Sequence, residues 1–287
     1  MFTLVTRNIR IFLTDKAAVF FSILGAMIAI LLIQFFLKSS IIDSMVADFT
    51  GRANRTDAEH LLDAWLIASA CVIASGTTGL GALGIFVQDR ETARWRDFLV
   101  TPAPRWSITG GYVVSAGIIS MTLTTIVFLA GTTYCWLHRV PLNMGGLLES
   151  WVWLMVSSLA FTSLMSMVVS LLKTQGSFAG FSIIIGTGFG FFAQTYVTAS
   201  VLPTDVRNLL SSLPFAQASS LVRKPYTYEA ISALPEILRE PTMEAMGITL
   251  HIGSTSVTTG MITSVLIAMI VVFSIISWQI MARTVKT

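Results

Sequence analysis

Polar and apolar positions alternate along this chain on two scales. On the long scale, six windows contain no Asp, Glu, Lys or Arg: Ala17–Leu37, Ala64–Gln88, Trp106–Leu137, Ser150–Leu172, Thr174–Thr204 and Ala245–Ala282. Each holds at least the roughly 20 residues that carry a helix across about 30 Å of hydrocarbon. A charge at mid-membrane costs about 2.5–3.5 kcal/mol, so the windows predict spans at about 17–37, 64–87, 108–136, 150–172, 177–199 and 256–282. The expected fold class is an all-α integral membrane protein with six transmembrane helices. On the short scale, Phe2, Val5, Ile9 and Phe12 recur at helical spacing, with Thr3, Arg7, Arg10 and Thr14 opposite them. This predicts an amphipathic helix over 1–16 lying in the inner membrane interface. The plainer alternative is a basic flank that only orients the first span.

The connecting segments differ in character. Residues 38–63 are polar and acidic at their end (Asp57, Glu59, Asp63) and predict a solvated loop or short helices; residues 138–149 predict a tight connection. The outer segment 200–255 is interrupted by Pro203, Pro214, Pro225, Pro235 and Pro241. Because proline ends helices, several short ones are expected there, some dipping back into the membrane.

Composition agrees: 54% of the 287 residues are hydrophobic and 11% are charged, against about 25% charged in a soluble domain. With the termini inside, the inner segments carry ten basic residues (Arg7, Arg10 and Lys16; Arg90, Arg94, Arg96 and Arg105; Lys173; Arg283 and Lys286) against four acidic ones. The positive-inside rule then places both termini in the cytoplasm. Ala17–Leu37 is too long for the apolar region of a cleaved signal peptide. Cys71 and Cys135 both fall inside expected spans, which gives no support for a disulfide framework.

Several chemistries lack their residues. A P-loop needs Lys directly after Gly, whereas the five lysines follow Asp15, Leu37, Leu172, Arg223 and Val285. The span centres hold no ionisable group for proton or sodium coupling. His60, His138 and His251 form no HExxH pair, and there is no G-x-S-x-G elbow. No enzyme chemistry, metal site, cofactor or nucleic-acid partner is therefore expected of this chain itself. Gly186, Gly188 and Gly190, like Ser75, Gly79, Gly81 and Gly84, read as small residues that let helices approach.

The informative segment is Gln88–Arg105, between the second and third spans. Six of its first ten residues are charged, in both signs, and an apolar group and Pro102-Ala103-Pro104 follow. On a helix Glu91 would face Arg94, and Arg94 would face Asp97, at i,i+3. Trp95, Phe98 and Leu99 would form an apolar stripe for a partner or for the membrane. The bland alternative is a solvated inner loop, but the positive-inside bias alone predicts basic rather than mixed charge.

Asp89-Arg90-Glu91, followed by Arg96-Asp97, Leu99, Pro102 and Arg105, resembles the cytosolic loop of type-2 ABC transporter permeases (the ABC-2 exporter family). The topology is similar over nearly the whole chain, and Pro214-Phe215-Ala216 followed by Arg223 resembles the family's proline-bearing stretch before the last span. The outer segment is longer than in polysaccharide-exporting members. The resemblance implies type-2 ABC exporter architecture and a coupling helix at about 88–99. Asp89, Arg90, Glu91, Arg94, Trp95, Asp97 and Phe98 would dock there on a cytosolic ABC ATPase. It further implies a dimer, with itself or a close relative, carrying two ATPase subunits that bind ATP and Mg.

The expected function is the permease subunit of an exporter in a bacterial cell membrane. Its substrate would be amphipathic or hydrophobic (a drug, an antimicrobial peptide or a lipid-like molecule). A lipid-linked polysaccharide is the rival substrate, and a membrane sensor or assembly module that recruits an ATPase is the rival class. In the fifth span Phe189, Phe191, Phe192, Gln194 and Tyr196 are candidate cavity residues.

Overall fold

The computed structural model of the chain describes residues 1–48, 54–94, 104–253 and 255–284. Helix accounts for 84% of it, as expected for an all-α protein. Five helical stretches are long and apolar enough to cross a membrane: Lys16–Ala47, Arg55–Glu91, Ser107–Leu137, Met144–Val169 and Thr259–Met281. This set suits a multi-pass membrane protein.

Helix α1 (Phe2–Thr14) meets α2 (Lys16–Leu32) at Asp15, whose carboxylate accepts from the Ala18 amide at 3.0 Å and caps α2. Through one π-helical turn, Ile33–Leu37, the rod continues into α3 (Lys38–Asp48). The first apolar helix thus runs well past the Leu37 expected from hydropathy.

At the centre stands α4 (Arg55–Glu91), with α5 (Arg105–Leu137), α6 (Met144–Val169) and α7 (Gln175–Phe192) around it and α12 (Thr259–Thr284) against α6. Almost all of α4 from Ala58 to Leu83 is buried. At 37 residues it is about 55 Å long, well beyond the hydrocarbon thickness.

Lipid gives helices little hydrophobic reason to associate, so close approach through small residues carries the packing. Gly76 shows it: a Cβ there would lie 2.0 Å from Cε2 of Phe189. That ring is wedged between Phe161 and Phe215, at centroid distances of 5.1 and 4.9 Å. Gly76→Ala should therefore destabilise by about 1–3 kcal/mol through overpacking. Thermal unfolding should show a lower midpoint that Phe189→Ala in the same chain partly restores. A simple sum of the two single losses would argue against the steric cause.

The outer segment folds as α8 (Thr204–Ser212), α9 (Pro214–Tyr226), α10 (Tyr228–Ser232), α11 (Glu236–Ala245) and a two-residue hairpin, β1 (His251–Ile252) with β2 (Thr255–Ser256). Short helices are present, and Pro225 stands next to the last residue of α9, but Pro241 lies in the middle of α11. Helix α9 re-enters the bundle. Its Ala218, Leu221, Val222 and Tyr226 join Ile67, Cys71, Leu154 and Phe161 in one apolar core.

Arg223 of α9 is completely buried. Its Nε donates to Ser69 Oγ at 2.7 Å, and Nη2 donates to the Ala193 carbonyl, the Gln194 carbonyl and Thr195 Oγ1 at 3.0–3.2 Å. Nη1 reaches the Met246 and Gly247 carbonyls at 3.4 Å, and the guanidinium carbon lies 4.7 Å from the Trp65 ring centroid. Gly247 adopts φ +61°, which presents its carbonyl without the strain a side chain would add. Burial pushes the Arg223 pKa down to about 9, which still leaves a cation at neutral pH.

This cation explains where α7 stops. The fifth charge-free window runs to Thr204, and its expected span to 199, yet the helix ends at Phe192, and Gln194 turns into φ +51°. The carbonyls freed at that end are taken by Arg223. At 18 residues α7 is about 27 Å long. It begins where Gln175 Nε2 donates to the Gly84 carbonyl and ends beside Arg223, which bonds Ser69. It therefore runs antiparallel to α4, alongside the stretch from Gly84 to Ser69.

The bundle has two poles. At one, Leu4 and Phe12 of α1 share a cluster with Val87, Val169 and Met281. At the other, Ile42, Leu61 and Trp65 pack with Ala230, Leu234, Met246 and Ile248. Helix α1 and Met281 of α12 thus lie at the same pole.

Candidate functional site

The mixed-charge motif begins in the last turn of α4, at the pole that holds α1. Successive residues on a helix point about 100° apart, so Asp89, Arg90 and Glu91 address different neighbours. The Asp89 carboxylate, buried, accepts from Arg7 Nη1 at 2.6 Å, Arg7 Nη2 at 2.9 Å and the Tyr112 hydroxyl at 2.7 Å. A bidentate, charge-assisted fork of this kind fixes orientation as well as distance. The hydrogen bonds to Asp89 raise the pKa of Arg7 above its ordinary value, against the opposing pull of burial.

Arg90 Nη1 donates to the carbonyls of Ser170 and Leu172 at 2.9 and 2.8 Å, where α6 ends. A cation at a helix C-terminus satisfies orphan carbonyls and matches the dipole. Glu91 Oε2 accepts from the Gln175 amide at 3.2 Å, an anion at the N-terminus of α7. Three consecutive side chains thus hold α1 and α5, α6, and α7 to the end of the central helix.

After Glu91 the chain turns. The Thr92 amide bonds the Gln88 carbonyl, the Ala93 amide bonds the Arg90 carbonyl, and Ala93 takes φ +57°. The left-handed residue breaks the helix on which Glu91 and Arg94 were expected to face each other. Glu91 and Arg94 are exposed. Trp95, Asp97 and Phe98 lie outside the described residues, as do residues 95–99 of the coupling helix expected at about 88–99.

Helix α1 forms where predicted but turns a different face inward. Leu4, Val5, Asn8 and Phe12 are buried against the bundle, whereas Phe2 is 87% exposed. Arg7 points inward to Asp89; Arg10 stays exposed. Asn8 Nδ2 donates to Ser115 Oγ at 3.1 Å. Asn8, Tyr112 and Ser115 were not picked out from sequence. Nothing in the local pattern marks a lone polar residue in a span as the partner of a carboxylate 23 residues away.

On one flank of the bundle an apolar cleft of about 790 Å3 separates α2 from α7, with Phe21, Leu24 and Ile28 facing Ile183, Gly186 and Phe191. Of the cavity candidates, Phe191 and Tyr196 line this cleft. Phe189 is instead buried in the aromatic core, and Phe192 lies 5.5 Å from Phe215. Gln194 is buried with Nε2 on Ser211 Oγ at 3.3 Å. Phe189 and Phe191 are two positions apart, hence about 200° apart around α7, and cannot both face the cleft.

Among the described residues no cluster of His, Cys, Asp or Glu is arranged to hold a metal ion. Compared with protein-family models and with characterised proteins, the chain matches none.

Proposed function

We propose that the chain is the membrane-spanning permease subunit of an ATP-driven exporter of the type-2 ABC kind, with six crossings and both termini in the cytoplasm. The observation that carries this reading is the Asp89-Arg90-Glu91 junction, where one short motif fastens four helices to the start of a cytosolic loop. Two further features support it. Helix α1 and Met281 of α12 share one pole, as an even number of crossings would place them, and α7 would be the sixth. The cleft between α2 and α7 is apolar and of ligand size, which suits an amphipathic or hydrophobic substrate.

ATP and Mg belong to a cytosolic ATPase subunit, two per dimeric complex, docked on the loop after Glu91. Closure of the ATPase pair moves the permease only through contacts that differ between its states. Force on that loop acts on α4 and, through Asp89, Arg90 and Glu91, on α1, α5, α6 and α7 as one body. Helix α2, on the far side of the cleft, has no such fastening to these three residues among the described contacts. Relative motion of α2 and α7 opens or closes the cleft.

The test is co-purification and reconstitution with the ATPase in proteoliposomes. Glu91→Lys and Arg94→Glu should each weaken ATPase association about tenfold, or about 1.4 kcal/mol, and lower ATP-dependent export. Wild-type association and export in both variants would remove the docking assignment. Stable association with no substrate-stimulated ATP hydrolysis would favour a sensor or assembly role.

A further inference from the structure

Many helix glycines of this bundle are explained by what touches them, as Gly76 is by the Phe189 ring. Gly186, inside α7, is not. No heavy atom lies within 4 Å of where its Cβ would stand, and its φ is outside the positive range that favours glycine. Glycine inside a helix is destabilising relative to alanine, so neither backbone nor packing within the chain accounts for it. Gly176 and Gly180 are equally open, but of the three only Gly186 lines the cleft between α2 and α7.

That cleft continues into a smaller chamber. It measures about 230 Å3 and lies between Ala18 and Ser22 of α2, Leu80 and Gly81 of α4, and Phe178 of α7. Phe21, Gly25, Ser182 and Gly186 line both spaces and so frame the passage between them. A Cβ on Gly25 would lie 3.6 Å from the Gly186 carbonyl oxygen, so the two helix backbones meet there and the passage is narrow. Ala18, in the smaller chamber, packs at the pole that holds α1, whereas Leu37, on the wall of the cleft, packs at the opposite pole. The two spaces are thus in series across the bundle. Among the described residues, no acidic or basic side chain lines either of them.

We infer that Gly186 is the specificity-determining residue of the cleft, a role that rests on the export reading. Its missing side chain leaves the width through which a substrate passes from the smaller chamber to the larger when α2 and α7 part. That substrate is uncharged. An ion between Gly25 and Gly186 would be cut off from water and would meet no opposite charge, which is strongly unfavourable. The apolar wall rewards apolar surface instead. A side chain added at position 186 enters the passage without displacing a neighbour. It therefore changes what passes and not how the chain folds.

Gly186→Leu separates this role from packing. Its thermal midpoint in detergent should be no lower than that of wild type, and it should still carry the ATPase subunit. In proteoliposomes Nile red, an uncharged apolar dye, should stimulate ATP hydrolysis by the wild-type complex. Stimulation should be about tenfold weaker in Gly186→Leu, in line with size discrimination by an apolar pocket, with Gly186→Ala in between. The cationic dye rhodamine 6G should leave the wild-type complex near its basal rate. A lowered midpoint in Gly186→Leu overturns the assignment by making Gly186 a packing residue. Equal stimulation by Nile red in both complexes overturns it as well, while leaving the export reading intact. An equal response to rhodamine 6G, or none to Nile red, overturns the uncharged class. A wild-type chain that binds no ATPase defeats the export reading itself, and the role of Gly186 falls with it.

Discussion

Arg223→Met should lower stability by about 3–5 kcal/mol, because several buried acceptors lose their donor at once. Methionine fills much of the same volume, but it donates nothing. The carbonyls of Ala193, Gln194, Met246 and Gly247 and the hydroxyls of Ser69 and Thr195 all stay behind. Each buried acceptor left unmade costs about 1–3 kcal/mol, and because they share one donor group the costs do not sum. Arg223→Lys should fail to rescue, since a point ammonium cannot reach three sides at once. Thermal unfolding in detergent should shift by roughly 10 °C, at about 2–4 °C per kcal/mol for a chain of this size. A shift under about 2 °C would mean the carbonyls find water or other partners.

The pH dependence from Arg223 has a definite sign. Its folded pKa, about 9, lies below the ordinary arginine range. Between those values the unfolded chain holds more protons than the folded one, so this group makes stability rise with pH above about 9. Below that both states are protonated and the contribution is flat.

The second large effect is at Asp89. Asp89→Ala should cost about 2 kcal/mol, below the 3–5 kcal/mol of a fully buried pair because the Arg7 side chain is 28% exposed and partly solvated. Tyr112 loses its acceptor as well. Pairing Asp89→Ala with Arg7→Met should cost less than the sum of the singles by about 1–2 kcal/mol, as expected of groups in direct contact. Hydrogen exchange should show α1 opening in Asp89→Ala while α4 and α6 stay protected. Strict additivity in the cycle, or unchanged protection of α1, would separate the two residues energetically.

The middles of the long helices were legible because a charge is costly in hydrocarbon and its absence is visible in the string. Their ends were not. Helix α4 begins nine residues before Ala64 because Ala58, Leu61 and Leu62 pack against Ala230 and Leu234 of the outer segment, contacts more than 160 residues distant in sequence. Helix α7 stops at Phe192 although its window continues, because Arg223 waits for its carbonyls. The unusual charge of Asp89-Arg90-Glu91 was visible, but its direction was not. The residues read as an outward handle, and the structure turns Asp89 inward to Arg7, 82 positions earlier. Periodicity ranks Phe189 and Phe191 alike; only Phe161 and Phe215 decide that the first is core.

The separation of Arg7 from Asp89 and of Asn8 from Ser115, 82 and 107 positions, also sets an order of events at the ribosome. The N-terminal helix is made first but has no seat until Tyr112 and Ser115 have been synthesised. At about 5–20 residues per second that interval is roughly 5–20 s. During it the segment lacks the partners that seat it, and Phe2 and Arg10, exposed even in the folded chain, would be free to meet a membrane surface.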